Sequence, residues 1–568
     1  MLTVSILIFS GLFFFFVGYR YYAGRLDREV IQPDDSLSTP AVLQGDGVDF
    51  VESKPLVLFG HNFASIAGAG PVIGPIVAMH HFGWVVTLVW ILIGNVFIGA
   101  VHDYLALMVS VRNRGSSIAE IAEKTMGTRA KSVFSIFLVL AMLLVIAVFG
   151  VVAAKTLIAQ PQMVLPTFAI IPISIALGWF IYYRNVDLTI ASIIAVLAVI
   201  LSIYFGFQFP VEISENEIFG FSPLMFWFAI LMGYAAVASV LPVNILLQPR
   251  DYLSTYILFG SMSLAVLALL WVQPELHTPA YRGSFSDEQG PVWPMLFVLV
   301  ACGAVSGFHS LVAGGTTSKQ LSAESQGRPI AYGGMLTEGA VAVVTVLLVS
   351  GGLYWVAPVS GGIDMSTLGF RETLQSGGWI LAYGHGFGNL VHQMIPLLSF
   401  TFASMIAVLA LNTFVLTTLD SAVRITRFIV QESVGEKIVL FKNKYVCTLL
   451  VVFFSYLIGA TGGWQKIWPI FGATNQLIAA VALFVIAAWL MARGKPIKFA
   501  LYPAIFMIVT TIGALAWQSY RFYTQPEANV FLGTAAVFLI ILALFVGYEG
   551  MASLRGRKEK NMTASASI

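Results

Sequence analysis

Long apolar runs alternate with short polar connections along the whole chain. A run of roughly 20 apolar residues is long enough to cross about 30 Å of hydrocarbon as a helix. We draw such windows at residues 2–19, 56–81, 84–111, 132–157, 165–183, 187–207, 222–248, 252–273, 293–315, 331–357, 392–419, 444–461, 468–491, 499–519 and 529–548. The pattern predicts an all-α polytopic membrane protein with about 15 transmembrane helices.

The basic residues predict how these helices are oriented. With the N-terminus outside and the helices alternating in direction, all but five of the 30 Lys and Arg fall on the cytoplasmic side. Those five are Lys155, Arg282, Arg371, Lys466 and Arg521. Because basic residues concentrate in cytoplasmic loops, we predict an N-out, C-in topology. Residues 20–55 are then a cytoplasmic connection, 114–128 hold a short interfacial helix, and 358–391 form an outer loop.

The composition excludes several classes of protein. The 568-residue chain is 58% hydrophobic and 10% charged, whereas an average soluble domain carries about 25% charged residues. So few charges cannot cover a water-facing surface, which excludes a soluble enzyme, a nucleic-acid-binding protein and a disordered chain. The two cysteines, Cys302 and Cys447, lie in or beside apolar runs. They support neither a disulfide framework nor a cysteine-based metal site.

The window at 56–81 is interrupted near its middle. It contains Ile66-Ala-Gly-Ala-Gly-Pro-Val-Ile-Gly-Pro75, with three glycines and two prolines in ten residues. This composition lowers helix propensity and removes two amide donors. Within a bilayer, the freed backbone groups must be satisfied by protein, water or a ligand. We predict an unwound segment, and the alternative is a simple proline kink.

A second interruption is predicted in the window at 222–248, where Ser239-Val-Leu-Pro-Val-Asn244 follows a good apolar helix. Five windows, from 56–81 through 187–207, come before the window that contains the second interruption. Because five is an odd number, the next set of five windows begins from the opposite side of the membrane. Matching interruptions in two inverted halves indicate a transporter with its site between them, near the midplane. We predict a five-plus-five inverted-repeat core with interrupted first and sixth helices.

This arrangement predicts the chemistry of the site. The start of a half-helix offers free N–H groups that attract an anion, and the end of the other half offers carbonyls that hold a cation. We expect a carboxylate-bearing substrate with a coupling proton or sodium ion. The predicted substrate-binding residues are Gly68, Ala69, Gly70, Pro71, Gly74, Asn244 and His309.

Ionisable residues inside the apolar windows are the candidates for ion coupling. Asp103 and Glu338 can take up a proton because burial disfavours a charged carboxylate. His61 lies close before the first interruption and is a third proton candidate. For each of the three, a structural hydrogen bond to a neighbouring helix is the alternative. The hydroxyls of Thr316, Thr317 and Ser318 suit either a sodium site or the cap of a helix end.

Several of these segments resemble the carbon starvation protein A (CstA) family of bacterial membrane transporters. They are Phe59-Gly-His-Asn-Phe-Ala-Ser-Ile-Ala-Gly-Ala-Gly-Pro-Val-Ile-Gly-Pro75, Gly99-Ala-Val-His-Asp103, His309-Ser-Leu-Val-Ala-Gly-Gly-Thr-Thr-Ser-Lys319, Tyr332-Gly-Gly-Met-Leu-Thr-Glu338, Thr417-Thr-Leu-Asp420 and Trp468-Pro-Ile-Phe-Gly-Ala-Thr-Asn-Gln-Leu477. The resemblance covers about residues 55–480 in order. In the family, the first motif usually has two consecutive histidines where this chain has His61 and Asn62.

The resemblance implies a multi-pass transporter of the cytoplasmic membrane that imports peptides or pyruvate during carbon starvation. It also implies an inverted core of the amino acid–polyamine–organocation (APC) superfamily type. We expect a proton as the coupling ion, no cofactor, no nucleic-acid partner and no enzyme activity, with the bilayer and a small molecule as partners. The oligomeric state stays open. The alternatives are a sodium-coupled symporter, a passive channel or uniporter, and an intramembrane enzyme.

The predicted organisation has four parts. Residues 1–55 are an additional N-terminal helix with its cytoplasmic connection, and 56–420 form the transport core. Residues 421–550 are a C-terminal four-helix transmembrane region, and 551–568 are a cytoplasmic basic tail.

Overall fold

The computed structural model describes residues 3–184, 186–213, 220, 222–358, 363–435, 438–460, 464–525 and 529–565. Thirteen helical spans in these ranges are long and apolar enough to cross a membrane. They are Val4–Ile31, Pro55–Phe82, Trp84–Val111, Lys131–Ala159, Pro161–Ile181, Leu188–Gln208, Pro223–Val240, Leu247–Val272, Glu324–Gly352, Phe400–Val434, Ile470–Met491, Lys498–Thr524 and Leu532–Ala552. The prediction of a polytopic helical membrane protein is confirmed.

The other two predicted windows are helical but shorter. Lys444–Ala460 is a helix of 17 residues, and the window at 293–315 consists of two helices, Val292–Leu299 and Phe308–Gly315. The remaining helices outside the spans are Pro40–Leu43, Ile118–Met126, Met365–Leu368 and Phe370–Met394. Two-residue strands, Phe285–Ser286 and Gly290–Pro291, pair in antiparallel fashion. The interfacial helix predicted within 114–128 is confirmed as Ile118–Met126.

The first predicted interruption is confirmed. The helix Pro55–Ile66 ends, residues 67–69 are not helical, and a new helix Gly70–Phe82 begins. We call residues 67–69 the first break. Pro71 lies in the first turn of the second helix, where a proline leaves no intrahelical hydrogen bond unmade. The glycine- and proline-rich composition therefore interrupts the helix without preventing it from restarting.

The second interruption is not where the sequence predicted it. The helix Pro223–Val240 ends, residues 241–246 turn, and a separate helix begins at Leu247. The segment Ser239–Asn244 is thus a connection between two spans, with Pro242 ending the first of them. Counted from the first interrupted helix, seven spans, not five, therefore precede the second interrupted helix. That interruption is at residues 300–307, between Val292–Leu299 and Phe308–Gly315, and we call it the second break.

The two breaks lie against each other. A Cβ added at Gly70 would overlap the Cβ and Sγ atoms of Cys302, and one added at Gly303 would lie 3.7 Å from the Cα of Pro71. A Cβ at Gly74 would lie 2.6 Å from the carbonyl oxygen of Leu299. The close approach of two backbones explains why small residues are needed here.

The core is built around helices that are buried on nearly all sides. The apolar windows of Pro55–Phe82 and Phe400–Val434 are 89% buried, and that of Ile470–Met491 is entirely buried. By contrast, the window of Leu188–Gln208 is 28% buried and presents Ile194 outward. An outward apolar side chain is compatible with a hydrocarbon environment, so these outer helices need no polar face.

The segment predicted as an outer loop at 358–391 is mostly helical. Phe370–Met394 forms a helix with a kink at Gly378, whose φ is 69°. Its glycines and serines lower the intrinsic helix propensity, but Tyr383 and Phe387 are buried against the core. Burial of this apolar face outweighs the weak propensity.

The polar connection before the first break is held against the cytoplasmic ends that we predict for the core helices. Val51 N–H donates to the Lys319 carbonyl over 3.2 Å, and Ser53 N–H donates to the Gln320 carbonyl over the same distance. The Val48 carbonyl accepts from Val243 N–H at 3.2 Å. The hydrogen bonds to Lys319 and Gln320 hold the segment before the first interrupted helix against the residues that follow the second interrupted helix.

Candidate functional site

Three buried ionisable side chains from separate helices meet beside the second break. The Nδ1 atom of His309 lies 2.7 Å from Oδ2 of Asp103, and its Nε2 atom lies 3.4 Å from Oε2 of Glu338. None of the three is more than 3% exposed. His102 adds a contact of 2.8 Å to the other oxygen of Asp103. We call Asp103, His309 and Glu338 the His309 cluster; the sequence singled out each of them, and the structure brings them together.

The His309 cluster is suited to exchanging a proton. Among the described residues, neither carboxylate oxygen of Glu338 has a hydrogen-bond partner. A charged carboxylate buried without donors costs several kcal/mol, so such a group favours a proton or a ligand. The imidazole lies between the two carboxyl groups and can accept a proton from one side while interacting with the other.

Two asparagines hold the second break in its unwound form. The side-chain oxygen of Asn475 accepts from Phe308 N–H at 2.8 Å, and its main-chain oxygen accepts from Gly307 N–H at 3.1 Å. Asn95 donates to the carbonyls of Gly303 (3.1 Å) and Met335 (2.8 Å). Neither asparagine is among the site residues predicted from the sequence. An amide side chain inside a long apolar run was the available signal, since buried backbone groups need partners.

The first break has satisfied carbonyls and unsatisfied N–H groups. Thr417 and Thr418 donate to the carbonyls of Ala64 (2.7 Å) and Ser65 (3.1 Å) at the end of the first half-helix. No hydrogen bond within the described chain engages the main-chain N–H groups of residues 68–70. Free N–H groups at the start of a helix carry partial positive charge and are the kind of donor that attracts an anion.

The predicted binding residues of the first break are closely packed. Gly68, Ala69, Gly70, Pro71 and Gly74 are all buried. A Cβ at Gly68 would lie 2.7 Å from Oγ1 of Thr418. The glycines therefore allow the helices to pack closely in this conformation.

His61 belongs to a different buried group of charges. Its Nδ1 atom lies 2.6 Å from Oδ2 of Asp251, and Asp251 accepts from Nε of Arg250 at 3.1 Å. Arg250 also donates to both carboxylate oxygens of Asp420, which accepts from the hydroxyl of Tyr234 at 3.0 Å. We call these five residues the Arg250 network. The adjacent charges Arg250-Asp251 beside an apolar run were the signal for it, because buried charges require partners.

The other predicted positions lie apart from the first break or are already hydrogen-bonded. Asn244 is in the connection between two spans, and its main-chain oxygen faces Gly178. The hydroxyl of Thr316 donates to the Val312 carbonyl at 3.0 Å, and that of Thr317 donates to the side-chain oxygen of Asn62 at 2.8 Å.

The hydroxyl of Ser318 is also hydrogen-bonded within the protein. Its hydroxyl donates to the Gly314 carbonyl at 3.3 Å and accepts from Ser110 at 2.9 Å. Hydroxyls that bond to the carbonyls of the preceding turn act as a helix-end cap in this conformation.

The sequence matches one protein family over most of its length. A family model described as carbon starvation protein CstA matches residues 3–358 and 364–514. A peptide transporter CstA from Campylobacter jejuni is 33% identical over 562 residues, covering 89% of this chain and 79% of that protein. A pyruvate/proton symporter, BtsT from Escherichia coli, is 30% identical over 595 residues, covering 92% and 82% of the two chains.

Structural comparison agrees on the class of fold. A variant of the manganese transporter from Eremococcus coleocola superposes with a TM-score of 0.53 at 10% sequence identity. The match covers 90% of this chain and 99% of that one. Structural neighbours of this kind are LeuT-fold-like transporters. At this identity the likeness concerns the fold alone.

Proposed function

Because the chain belongs to the carbon starvation protein CstA family, we propose that it is a proton-coupled secondary transporter. Its substrates are small carboxylate-bearing nutrients, either peptides or pyruvate, which it imports across the bacterial cytoplasmic membrane. The names of the relatives support both substrate classes. Both carry a carboxylate that the free N–H groups of residues 68–70 can bind.

The observation that carries the proposal is the position of the His309 cluster, which includes a half-helix of the second break and a helix packed against the residues before the first break. His309 lies on the half-helix that follows the second break. A Cβ at Gly334, one turn before Glu338, would lie 3.3 Å from the side chain of Asn62 and 3.7 Å from that of Ile66, just before the first break. A movement of either half-helix therefore changes the surroundings of Glu338 and His309. This couples the protonation of the cluster to the conformation of the site.

We retain the five-plus-five inverted repeat as part of the proposal. Seven spans, counted from the first interrupted helix, precede the second one. Because seven is an odd number, as five is, the second interrupted helix still enters from the opposite side of the membrane when successive spans alternate in direction. Two helices then lie outside the repeat. The pair Val164–Tyr183 and Leu188–Gln208 fits that position, because its buried residues form a separate small hydrophobic cluster with Tyr252 and Leu253.

Uptake into sealed proteoliposomes tests the proposal. Under an imposed inward proton gradient, labelled pyruvate or labelled dialanine accumulates against its concentration gradient. Glu338→Gln and Asp103→Asn lose this uphill uptake but keep counterflow exchange, because exchange needs substrate binding without net proton movement. The matched control is Glu324→Gln, since Glu324 is buried but paired with Arg112 at 2.8 Å outside the His309 cluster.

Three results would contradict this proposal. Wild-type uphill transport in both cluster variants would remove Asp103 and Glu338 from the coupling mechanism. Equilibration without accumulation in the wild-type protein would favour a passive uniporter. Loss of accumulation on replacing sodium with choline at fixed pH would favour a sodium symporter.

A further inference from the structure

A polar cavity of about 600 Å³ lies at the far end of the first interrupted helix. His80 and His81, which end the half-helix Gly70–Phe82, form one wall. At 1.5 Å per residue, this wall is roughly 16 Å along the helix from the first break. The cavity is on the side that we predict to face outward, and it does not include the His309 cluster.

Two arginines from different segments point into this cavity. Arg282 comes from the connection after Leu247–Val272, and Arg371 comes from the helix Phe370–Met394. The guanidinium carbon of each lies 4.8 Å from the ring centroid of Trp355. The indole thus orients both guanidinium groups by cation–π contact.

Neither arginine is neutralised by a carboxylate. Among the described residues, no ion pair within 4.0 Å involves Arg282 or Arg371. Burial lowers the pKa of Arg282, and the nearby positive charge of Arg371 lowers it further, whereas Glu288 acts in the opposite direction. Two like charges held over one ring repel each other, and an anion between them relieves the repulsion.

His80 packs among aromatic side chains in the same wall, and its main-chain carbonyl accepts a hydrogen bond from Arg282. The Nδ1 atom of His80 is buried and makes no hydrogen bond within the described chain. The imidazole is surrounded by Trp355 and Trp379, with ring centroids 5.6 and 5.7 Å away. The cavity therefore combines two guanidinium groups with the imidazoles of His80 and His81 and with aromatic walls. These are features that recognise a small planar anion such as a carboxylate.

We propose that the cavity containing Arg282, Arg371 and His80 is an outer docking site for the carboxylate group of incoming substrate. It binds the substrate before the substrate reaches the first break and so raises its local concentration there. This inference rests on the proposed function for the identity of the ligand. A keto acid and a peptide share the carboxylate, but Asp287 and Glu288 in the same cavity also offer acceptors for a peptide ammonium group.

Chemical modification tests the docking site without requiring transport. Phenylglyoxal modifies arginine side chains, and peptide mapping by mass spectrometry follows each arginine of the purified full-length protein separately. We expect millimolar pyruvate, or dialanine, to slow the modification of Arg282 and Arg371 by at least threefold in a saturable manner. Pyruvamide, which lacks the charge, gives no protection. Arg20, an exposed arginine that does not line the cavity, is the internal control and reacts at the same rate throughout.

Transport kinetics then distinguish docking from a purely structural role. In proteoliposomes, Arg282→Gln/Arg371→Gln should raise KM at least fivefold with little change in maximal rate. Arg282→Lys/Arg371→Lys should restore part of this loss because it keeps the charges without the planar fork.

The possible results separate this inference from the proposed function. Equal modification of Arg282 with and without pyruvate and dialanine would overturn the docking site, even if transport is normal. Protection without any accumulation in proteoliposomes would support the docking site and count against the proposed coupled transport. A double variant that loses maximal rate and thermal stability at unchanged KM would show that the arginines are structural. Protection by dialanine alone would identify a peptide as the docked substrate.

Discussion

The contact between Gly70 and Cys302 allows the packing role of the first break to be separated from its binding role. In Gly70→Ala, the added methyl group would overlap Cβ and Sγ of Cys302, whose Cα would be 3.6 Å away. Both residues are buried, so the strain cannot be relieved by moving a side chain into solvent. Overpacking of this kind costs about 1–3 kcal/mol. The higher helix propensity of alanine offsets at most about 1 kcal/mol of this cost, because Gly70 is the first residue of its helix and not an interior one.

The net destabilisation expected for Gly70→Ala is therefore about 1–2 kcal/mol, a factor of roughly 5 to 30 in the ratio of folded to unfolded protein. Cys302→Gly removes both atoms that the methyl group would meet. In the double variant Gly70→Ala/Cys302→Gly, we expect a favourable coupling of about 1–3 kcal/mol relative to the sum of the single variants. Gly233→Ala is the matched control, since nothing lies within 4 Å of the Cβ that it adds.

Thermal stability in detergent and substrate-induced stabilisation are measured on the wild-type protein and on these four variants. If Gly70 serves packing alone, the double variant recovers both stability and substrate affinity. If the substrate carboxylate also needs the space at Gly70, stability recovers but affinity does not, and Gly70→Val abolishes binding in any protein that folds. A Gly70→Ala protein as stable as the Gly233→Ala control would refute the contact on which this reasoning depends.

Three further predictions concern the coupling ion, the Arg250 network and Asn475. Replacing sodium with choline at fixed pH should leave most uptake intact, and a steep sodium requirement that Thr317→Ala weakens would instead assign Thr316, Thr317 and Ser318 to a sodium site. Asp420→Asn should lower the free energy of unfolding by about 3 kcal/mol, because it leaves the buried Arg250 with one carboxylate partner instead of two. A loss no larger than that of Tyr234→Phe would show that the ion pair contributes little to stability. Asn475→Ala should cost about 1–3 kcal/mol because it leaves Phe308 N–H unsatisfied, and unchanged stability would mean that water or a rearranged main chain replaces the amide.

The sequence alone was sufficient for properties that depend on short stretches of chain. For thirteen of the fifteen windows, the length of the apolar run correctly predicts a helix long enough to cross a membrane, because the bilayer thickness sets the length required. The first break follows from three glycines and two prolines within residues 66–75, which act on the local backbone. The ionisable residues Asp103, His309 and Glu338 stood out because charges are rare in apolar runs. Motifs in order along the chain identified the family.

Only the tertiary structure decided which of these elements meet. The second break at 300–307 contains Gly303 and Gly307 but no proline, and it stays unwound because Asn475, far away in sequence, caps the following half-helix. The pairing of His309 with Asp103 likewise joins residues 206 positions apart.

The physical reason is that a bilayer removes the pattern from which burial is normally deduced. In a soluble helix, the apolar stripe marks the face that packs against the core. Here the lipid-facing and core-facing sides are both apolar, as the exposed Ile194 and the buried Val199 on one helix illustrate. The sequence therefore specifies that a helix spans the membrane without specifying its neighbours. Packing between helices distant in sequence supplies the partners of buried polar groups such as Asn475 and Asp103.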